Sequence, residues 1–237
     1  MIDKDLLFSA SEAMGVPMND QAADQLDRYA QLLVEWNQKI NLTAITEPGE
    51  IVIKHFVDSL LFLRAIQPAE GASLIDVGTG AGFPSVPVKI LRPDLKVTLL
   101  DSLNKRLTFL SEVSRELGLD CVCVHSRAED GGKKKELREQ FDLSCARAVA
   151  SLRNLAEYCI PYVKPGGYFV ALKGYDIEEE EREARNAIAT MGGKVERVEK
   201  FILPDESKRS ILLIKKISQT PPQFPRNAAK MEKKPIL

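Results

Sequence analysis

The chain has little of several residues that carry chemistry elsewhere. Of its 237 residues, two are histidine and one is tryptophan. The four cysteines, Cys121, Cys123, Cys145 and Cys159, form no C-x-x-C pair. With His55 and His125 as the only imidazoles, the donors for a zinc site are too few, and no metal is expected. All four cysteines read as small buried apolar side chains in a reducing compartment. No apolar run approaches the ~18 residues needed to cross a membrane. The N-terminus, Met1-Ile2-Asp3-Lys4-Asp5, carries acids instead of a signal-peptide pattern. Both absences predict a cytoplasmic protein without membrane contact. An excess of one charge is missing too: 33 basic residues against 34 acidic give −1. That excludes a chain-wide basic signature, so an RNA partner would require cations gathered on one face. No internal repeat is present. A hydrophobic content of 44% and a charged content of 28% fit a globular protein with one main domain and an appendage.

What stands out against this background is Leu74-Ile75-Asp76-Val77-Gly78-Thr79-Gly80-Ala81-Gly82-Phe83-Pro84. It reads as a buried strand, a glycine turn and a helix start. Glycines let the backbone turn sharply and approach a ligand closely. Free N–H groups at the helix start suit a polar ligand. A dinucleotide fingerprint requires G-x-G-x-x-G; here Phe83 replaces the last glycine, and the spacing is G-x-G-x-G preceded by Asp76. That pattern resembles the S-adenosylmethionine loop of class I methyltransferases. A second strand, 96–100, ends at Asp101, whose carboxylate can accept from both ribose hydroxyls.

Taken in order, residues 1–70 predict a helical extension. A short amphipathic helix covers 5–14 and stops at Gly15 and Pro17. Asn19 caps a longer helix to about residue 38, with Leu26, Tyr29, Leu33 and Trp36 on one stripe. Tyr29 and Trp36 read as core side chains. A third helix is predicted over 50–66, with a stripe of Val52, Phe56, Leu60 and Leu63. His55 and Asp58 share its flanking face.

From residue 71 to 217 strands alternate with helices, which predicts a parallel α/β sheet with helices on both faces. The predicted helices are 104–117, a charged one carrying Lys133, Lys134 and Lys135, then 151–160 and 176–190. Strands are predicted at 121–125, 141–146 and 168–172, the last after a turn at 164–167. Two final strands, 195–201 and 210–217, read as antiparallel, giving seven in all. The lysine run and the acidic 176–190 segment read as solvated faces. Residues 218–237 form a proline-containing basic tail.

In open α/β sheets the ligand lies beyond the carboxyl ends of the strands. Those ends carry Gly78, Asp101, Ala128-Glu129, Arg147 and Lys173. Gly78, Gly80 and Phe83 fall to the methionine half of the cofactor, Asp101 to the ribose, and Ala128 and Glu129 to adenine; Asp76 and Gly82, in the same loop, also count as cofactor-binding. Arg147 and Lys173 stand where the acceptor enters. Methylases of exocyclic amines carry an Asn/Asp-Pro-Pro-aromatic motif after the fourth strand; this chain has Ala146-Arg147-Ala148-Val149. Carbon methylation of cytosine needs a cysteine nucleophile, and none has that context. Guanine N7, a neutral acceptor whose edge an Arg or Lys can bind, fits. Carboxylates, thiols and amines remain open.

Further stretches carry a resemblance. They are Asn41-Leu42-Thr43, His55-Phe56-Val57-Asp58-Ser59-Leu60, Asp101-Ser102-Leu103-Asn104-Lys105-Arg106 and Arg127-Ala128-Glu129. Arg147-Ala148-Val149-Ala150, Lys173-Gly174 and Phe224-Pro225-Arg226 continue it. Together with the glycine loop they resemble the glucose-inhibited division protein B family over nearly the whole chain. The resemblance implies a bacterial S-adenosylmethionine-dependent enzyme that methylates guanine N7 in small-subunit ribosomal RNA. It implies the class I, Rossmann-like fold, cofactor contacts at Gly78, Phe83, Ala128, Glu129 and Arg147, and Asn41, His55, Asp58 and Lys173 near the acceptor. The small ribosomal subunit or its RNA is the expected partner and a monomer the expected state. A small-molecule or protein acceptor is the alternative. A positive strip of Lys54, Arg147, Lys173, Lys208, Arg209 and the tail is expected to hold phosphates.

Overall fold

The computed structural model describes residues 1–147 and 150–236. Ala148 and Val149 of the Arg147–Ala150 signature lie outside the described residues. The core is a seven-stranded sheet in the order β3-β2-β1-β4-β5-β7-β6. The strands are β1 (Ser73–Val77), β2 (Lys96–Asp101), β3 (Val122–His125), β4 (Phe141–Arg147), β5 (Val163–Gly174), β6 (Gly193–Ile202) and β7 (Lys208–Lys216). β1 pairs in parallel with both β2 and β4, while β7 runs antiparallel to β5 and β6. The order reverses at β1, so the crevice lies between the carboxyl ends of β2, β1 and β4.

Alternation along β1 builds two cores. Leu74 faces a layer made by the N-terminal helices, whereas Ile75 and Val77 face the opposite one. The first layer holds α1 (Lys4–Ala13), α2 (Asp20–Asn37), α5 (Ser85–Leu91) and α6 (Asn104–Leu117). α2 starts where the Asn19 side chain accepts from Ala22 N at 2.9 Å. Its stripe buries Leu26, Tyr29 and Leu33 completely, and half-buried Trp36 packs on Phe109. The second layer holds α8 (Leu152–Cys159), α9 (Glu178–Thr190) and the four-residue α7 (Ala128–Gly131).

The structure departs from the predicted elements in four places. The helix predicted over 50–66 is α3 (Pro48–Glu50), a π-helical stretch at Ile51–Val57, and α4 (Asp58–Ala65). The π stretch keeps Val52 and Phe56 fully buried in line with Leu60 of α4, so the apolar stripe does not betray it. The lysine run is not helical: after α7 the chain continues in turns, because Gly131-Gly132 packs against Tyr162 and Pro225 and leaves no helix to extend. The predicted turn at 164–167 lies inside β5, where an irregularity in the β4 pairing between Phe141 and Leu143 absorbs Pro165 and Gly166. Of the cysteines, Cys145 and Cys159 are buried, but Cys121 and Cys123 are half-buried at the edge strand β3.

The C-terminal segment folds onto the second layer. Arg138 donates to the Thr220 and Phe224 carbonyls, each at 2.7 Å. Arg226 forms a buried ion pair with Glu157 of α8. α10 (Ala228–Lys233) buries Met231. Among the described residues no helix is long and apolar enough to cross a membrane.

Candidate active site

The turn after β1 forms the floor of a cavity of about 490 Å³ at the carboxyl ends of the parallel strands. Gly78, Gly80 and Gly82 all have positive φ, at 72°, 60° and 97°. Two of them do different work. A Cβ on Gly80 would meet only the Gly78 carbonyl, at 4.0 Å, so this glycine keeps the floor open. A Cβ on Gly82 would lie 2.7 Å from Leu110, Tyr29 and Val86, so this glycine lets the loop sit down on the first core. Tyr29 completes that seat by donating its hydroxyl to the Ala81 carbonyl. Gly82 therefore supports the cavity from behind and does not line it.

Asp76 lies beneath the loop, fully buried. Its Oδ2 accepts from Thr79 Oγ1 at 2.9 Å and Ser85 Oγ at 2.5 Å, while its Oδ1 has no hydrogen-bond partner. Burial pushes its carboxyl up to about 6, against those two hydroxyl bonds. Asp101 ends β2 on the cavity wall. It accepts from Gly80 N and Leu103 N, both at 2.9 Å, with Arg106 at 3.4 Å. A carboxylate has about four acceptor positions, so one remains, room for one ribose hydroxyl and not for the two that the sequence reading expects. Beyond β3, buried Glu129 and Ala128 line the far end, where Tyr162 fixes the Ala128 carbonyl at 2.6 Å. Leu155 and Tyr158 of α8 face them.

The near end is built around Arg147. Its guanidinium lies 4.9 Å from the Phe83 ring centroid. It donates to Asp58 Oδ2 at 2.9 Å, the Lys54 carbonyl at 3.1 Å and His55 Nδ1 at 3.2 Å. The His55 ring stacks on Phe83 at 4.3 Å. Burial, then the charge of Arg147, lower the His55 imidazole to about 3, so it is neutral. Arg147 can only donate, so Nδ1 accepts and Nε2 carries the proton toward Thr43 Oγ1 at 2.9 Å.

A second cavity of about 340 Å³ lies behind this pair, lined by Lys54, His55, Asp58, Arg147, Lys173 and Arg209, among others. His55 and Arg147 are thus a wall shared by both spaces. The cations here have acidic partners: Arg209 on Asp58 at 3.0 Å, Lys173 on Glu180 at 2.7 Å, and Lys54 on Glu50. Lys208 lies 5.2 Å from the Tyr175 ring.

The structure gathers Gly78, Gly80, Phe83, Asp101, Ala128, Glu129, Arg147, His55, Asp58 and Lys173 around the two cavities. Asn41 is exposed and lines neither; its neighbours Leu42 and Thr43 line the first. Leu155 and Tyr158 belong to the cavity wall and were not singled out in the sequence; Ser102 and Arg106, quoted there only as part of a matching stretch, line it too. Leu155 and Tyr158, three apart on a helix, carried a usable signal: a pair at the mouth of the next strand on one helix face.

A reversed parallel sheet, a glycine turn and a carboxylate closing β2 give the class I, Rossmann-like methyltransferase fold, and the family match given below makes the chain an S-adenosylmethionine-dependent enzyme. The open floor over Gly80 and the spare acceptor position of Asp101 fit that cofactor. A methyltransferase from Pyrococcus furiosus shares the fold, with a TM-score of 0.56 at 16% identity over 83% of this chain and 100% of that one. The family model of rRNA small subunit methyltransferase G, GidB, matches residues 22–211. Ribosomal RNA small subunit methyltransferase G of Alkaliphilus metalliredigens is 49% identical over 100% of both chains. The protein of the same name from Clostridium perfringens is 50% identical over 98% of both. The chain belongs to this family.

Proposed function

We propose that the chain transfers a methyl group from S-adenosylmethionine to N7 of a guanine in small-subunit ribosomal RNA. One observation carries the reading beyond family membership: Arg147 and His55 divide a cofactor-sized cavity from a second, cation-lined one. When bound, the cofactor supplies a methyl group already activated on a sulfonium. Gly78, Gly80 and Phe83 then hold its methionine half, Asp101 its ribose, and Ala128 and Glu129 its adenine. Asp76 braces the loop from below. Residues 1–70 supply Thr43, His55 and Asp58 to the wall.

N7 offers a lone pair and has no proton to lose, so a general base has little to contribute. The neutral state of His55 agrees with that. His55 and Asp58 instead aim Arg147, and rate comes from position and electrostatics. Arg147 spends three of the five N–H donors of a guanidinium on Lys54, Asp58 and His55. The remaining two suit guanine O6. The chain's four free thiols suit the reducing cytoplasm.

The test supplies labelled cofactor with small subunits lacking the modification, and separately with cytosolic proteins and metabolites. Label in the RNA supports the reading. Label only in protein or small molecules assigns the second cavity to another acceptor.

A further inference from the structure

The cations around the second cavity are largely committed to acids. The uncommitted ones lie elsewhere. Lys133, Lys134 and Lys135 are exposed, and so are Lys230, Lys233 and Lys234. None of these six ammonium groups makes a hydrogen bond or ion pair among the described residues.

The two groups are 95 and more positions apart in sequence, yet the fold joins them. Pro225 lies 3.1 Å from where a Cβ on Gly132 would stand, and Lys133 is the next residue. Arg138 ties the same place together, donating to the Gly132 carbonyl at 3.1 Å and the Phe224 carbonyl at 2.7 Å. From there Arg226 reaches the Lys234 carbonyl at 2.6 Å while its guanidinium is held by buried Glu157. Met231 is buried, which fixes α10 to the body. So the three lysines of the C-terminal segment are displayed from a docked platform beside the Lys133–Lys135 turn. That turn follows α7, whose Ala128 and Glu129 line the adenine end of the first cavity. Three exposed acids share these segments, Asp130, Glu136 and Glu232, so the six lysines outnumber them two to one.

We propose that Lys133–Lys135 and Lys230, Lys233 and Lys234 form one surface that binds the phosphate backbone of the substrate RNA, beside the adenine end of the cofactor cavity. Desolvating a phosphate contact is least costly for a lysine that has no carboxylate to give up. A nucleic-acid backbone is the partner whose regular charge matches such a patch, and binding releases its counterions. The catalytic cavity then orients one base while this surface supplies grip. The inference rests on the RNA reading of the active site.

The experiment measures binding and methylation of unmodified small-subunit RNA across salt concentrations with three variants of the full chain. One carries Lys133→Gln, Lys134→Gln and Lys135→Gln, the second Lys230→Gln, Lys233→Gln and Lys234→Gln. The control carries Lys96→Gln and Lys194→Gln, two exposed lysines at the starts of β2 and β6, outside the two lysine groups. Each triple variant is expected to flatten the slope of log affinity against log salt by about 2. KM for RNA rises about tenfold near physiological salt, while kcat and cofactor affinity hold. The control keeps the wild-type slope. Triple variants with the wild-type slope overturn the inference, as does a control that flattens equally. If the wild-type chain places no methyl group on RNA, the functional reading itself fails, a separate outcome.

Discussion

Arg147 and Asp58 stand 89 positions apart in the chain and meet at 2.9 Å. The second oxygen of Asp58 accepts from Arg209 at 3.0 Å. One buried carboxylate therefore separates two guanidinium groups. Asp58→Asn leaves both cations facing a neutral amide. Loss of one partner from a buried pair costs about 3 kcal/mol or more, so denaturant unfolding shows a clear drop in stability. Methyl transfer at saturating cofactor falls roughly a hundredfold, the scale of a mispositioned group, with cofactor affinity nearly kept. A variant of wild-type rate means that Arg147 does not depend on Asp58 for its aim.

His55 gives a pH signature. Its folded-state value, about 3, lies below the ordinary 6.5. A group that is neutral in the fold contributes stability above the unfolded value, and that contribution is lost as pH falls below ~6.5. Wild-type stability therefore declines between pH 6.5 and 4 more steeply than that of His55→Gln, by up to ~1.4 kcal/mol per unit. The kcat profile has no His55 limb near 6.5. An inflection there that disappears in His55→Gln makes His55 a titrating base.

Asp76 has the opposite sign. Its folded value is raised to about 6 by burial. The stability it contributes is present below the unfolded value near 3.8 and lost as pH rises through 6. Asp76→Asn removes that loss, so the variant gains on wild type by at most ~3 kcal/mol between pH 4 and 7. Cofactor affinity, measured by calorimetry, weakens about tenfold as the loop's brace changes. A stability difference that is flat in pH contradicts a carboxyl raised by burial.

Gly82→Ala tests the seat of the loop. The new methyl group meets three side chains at 2.7 Å and the φ of 97° is unfavourable to alanine. The overpacking and backbone penalties together give a loss of about 2–4 kcal/mol in chemical denaturation. Gly80→Ala faces open space instead and carries only the backbone penalty of its φ of 60°, about 1 kcal/mol, so its stability loss is the smaller of the two and a defect in cofactor affinity is expected beside it.

Much of this site was legible because it is contiguous in sequence. The strand Leu74–Val77, its glycines and Asp101 mark the cavity floor and wall, and the alternation of strands and helices gives the α/β sheet. The helix 104–117 was readable at its C-terminal end because Gly118 adopts the left-handed conformation that closes it. What stayed hidden depends on long-range contacts. No periodicity shows that Tyr29 props Ala81, or that Asp58 joins Arg147 to Arg209, since each contact closes dozens of residues of chain. The π stretch around His55 kept its apolar stripe, and the lysine run lost its predicted helix to Pro225, which packs in from the far end of the sequence.

The most direct measurement is nucleoside mass spectrometry of small-subunit RNA after reaction with the purified chain and cofactor. The account predicts 7-methylguanosine at one stoichiometric site, and none from Arg147→Ala that still binds cofactor. Methylation of a different base or a different guanine atom, or an undiminished signal from Arg147→Ala, contradicts it.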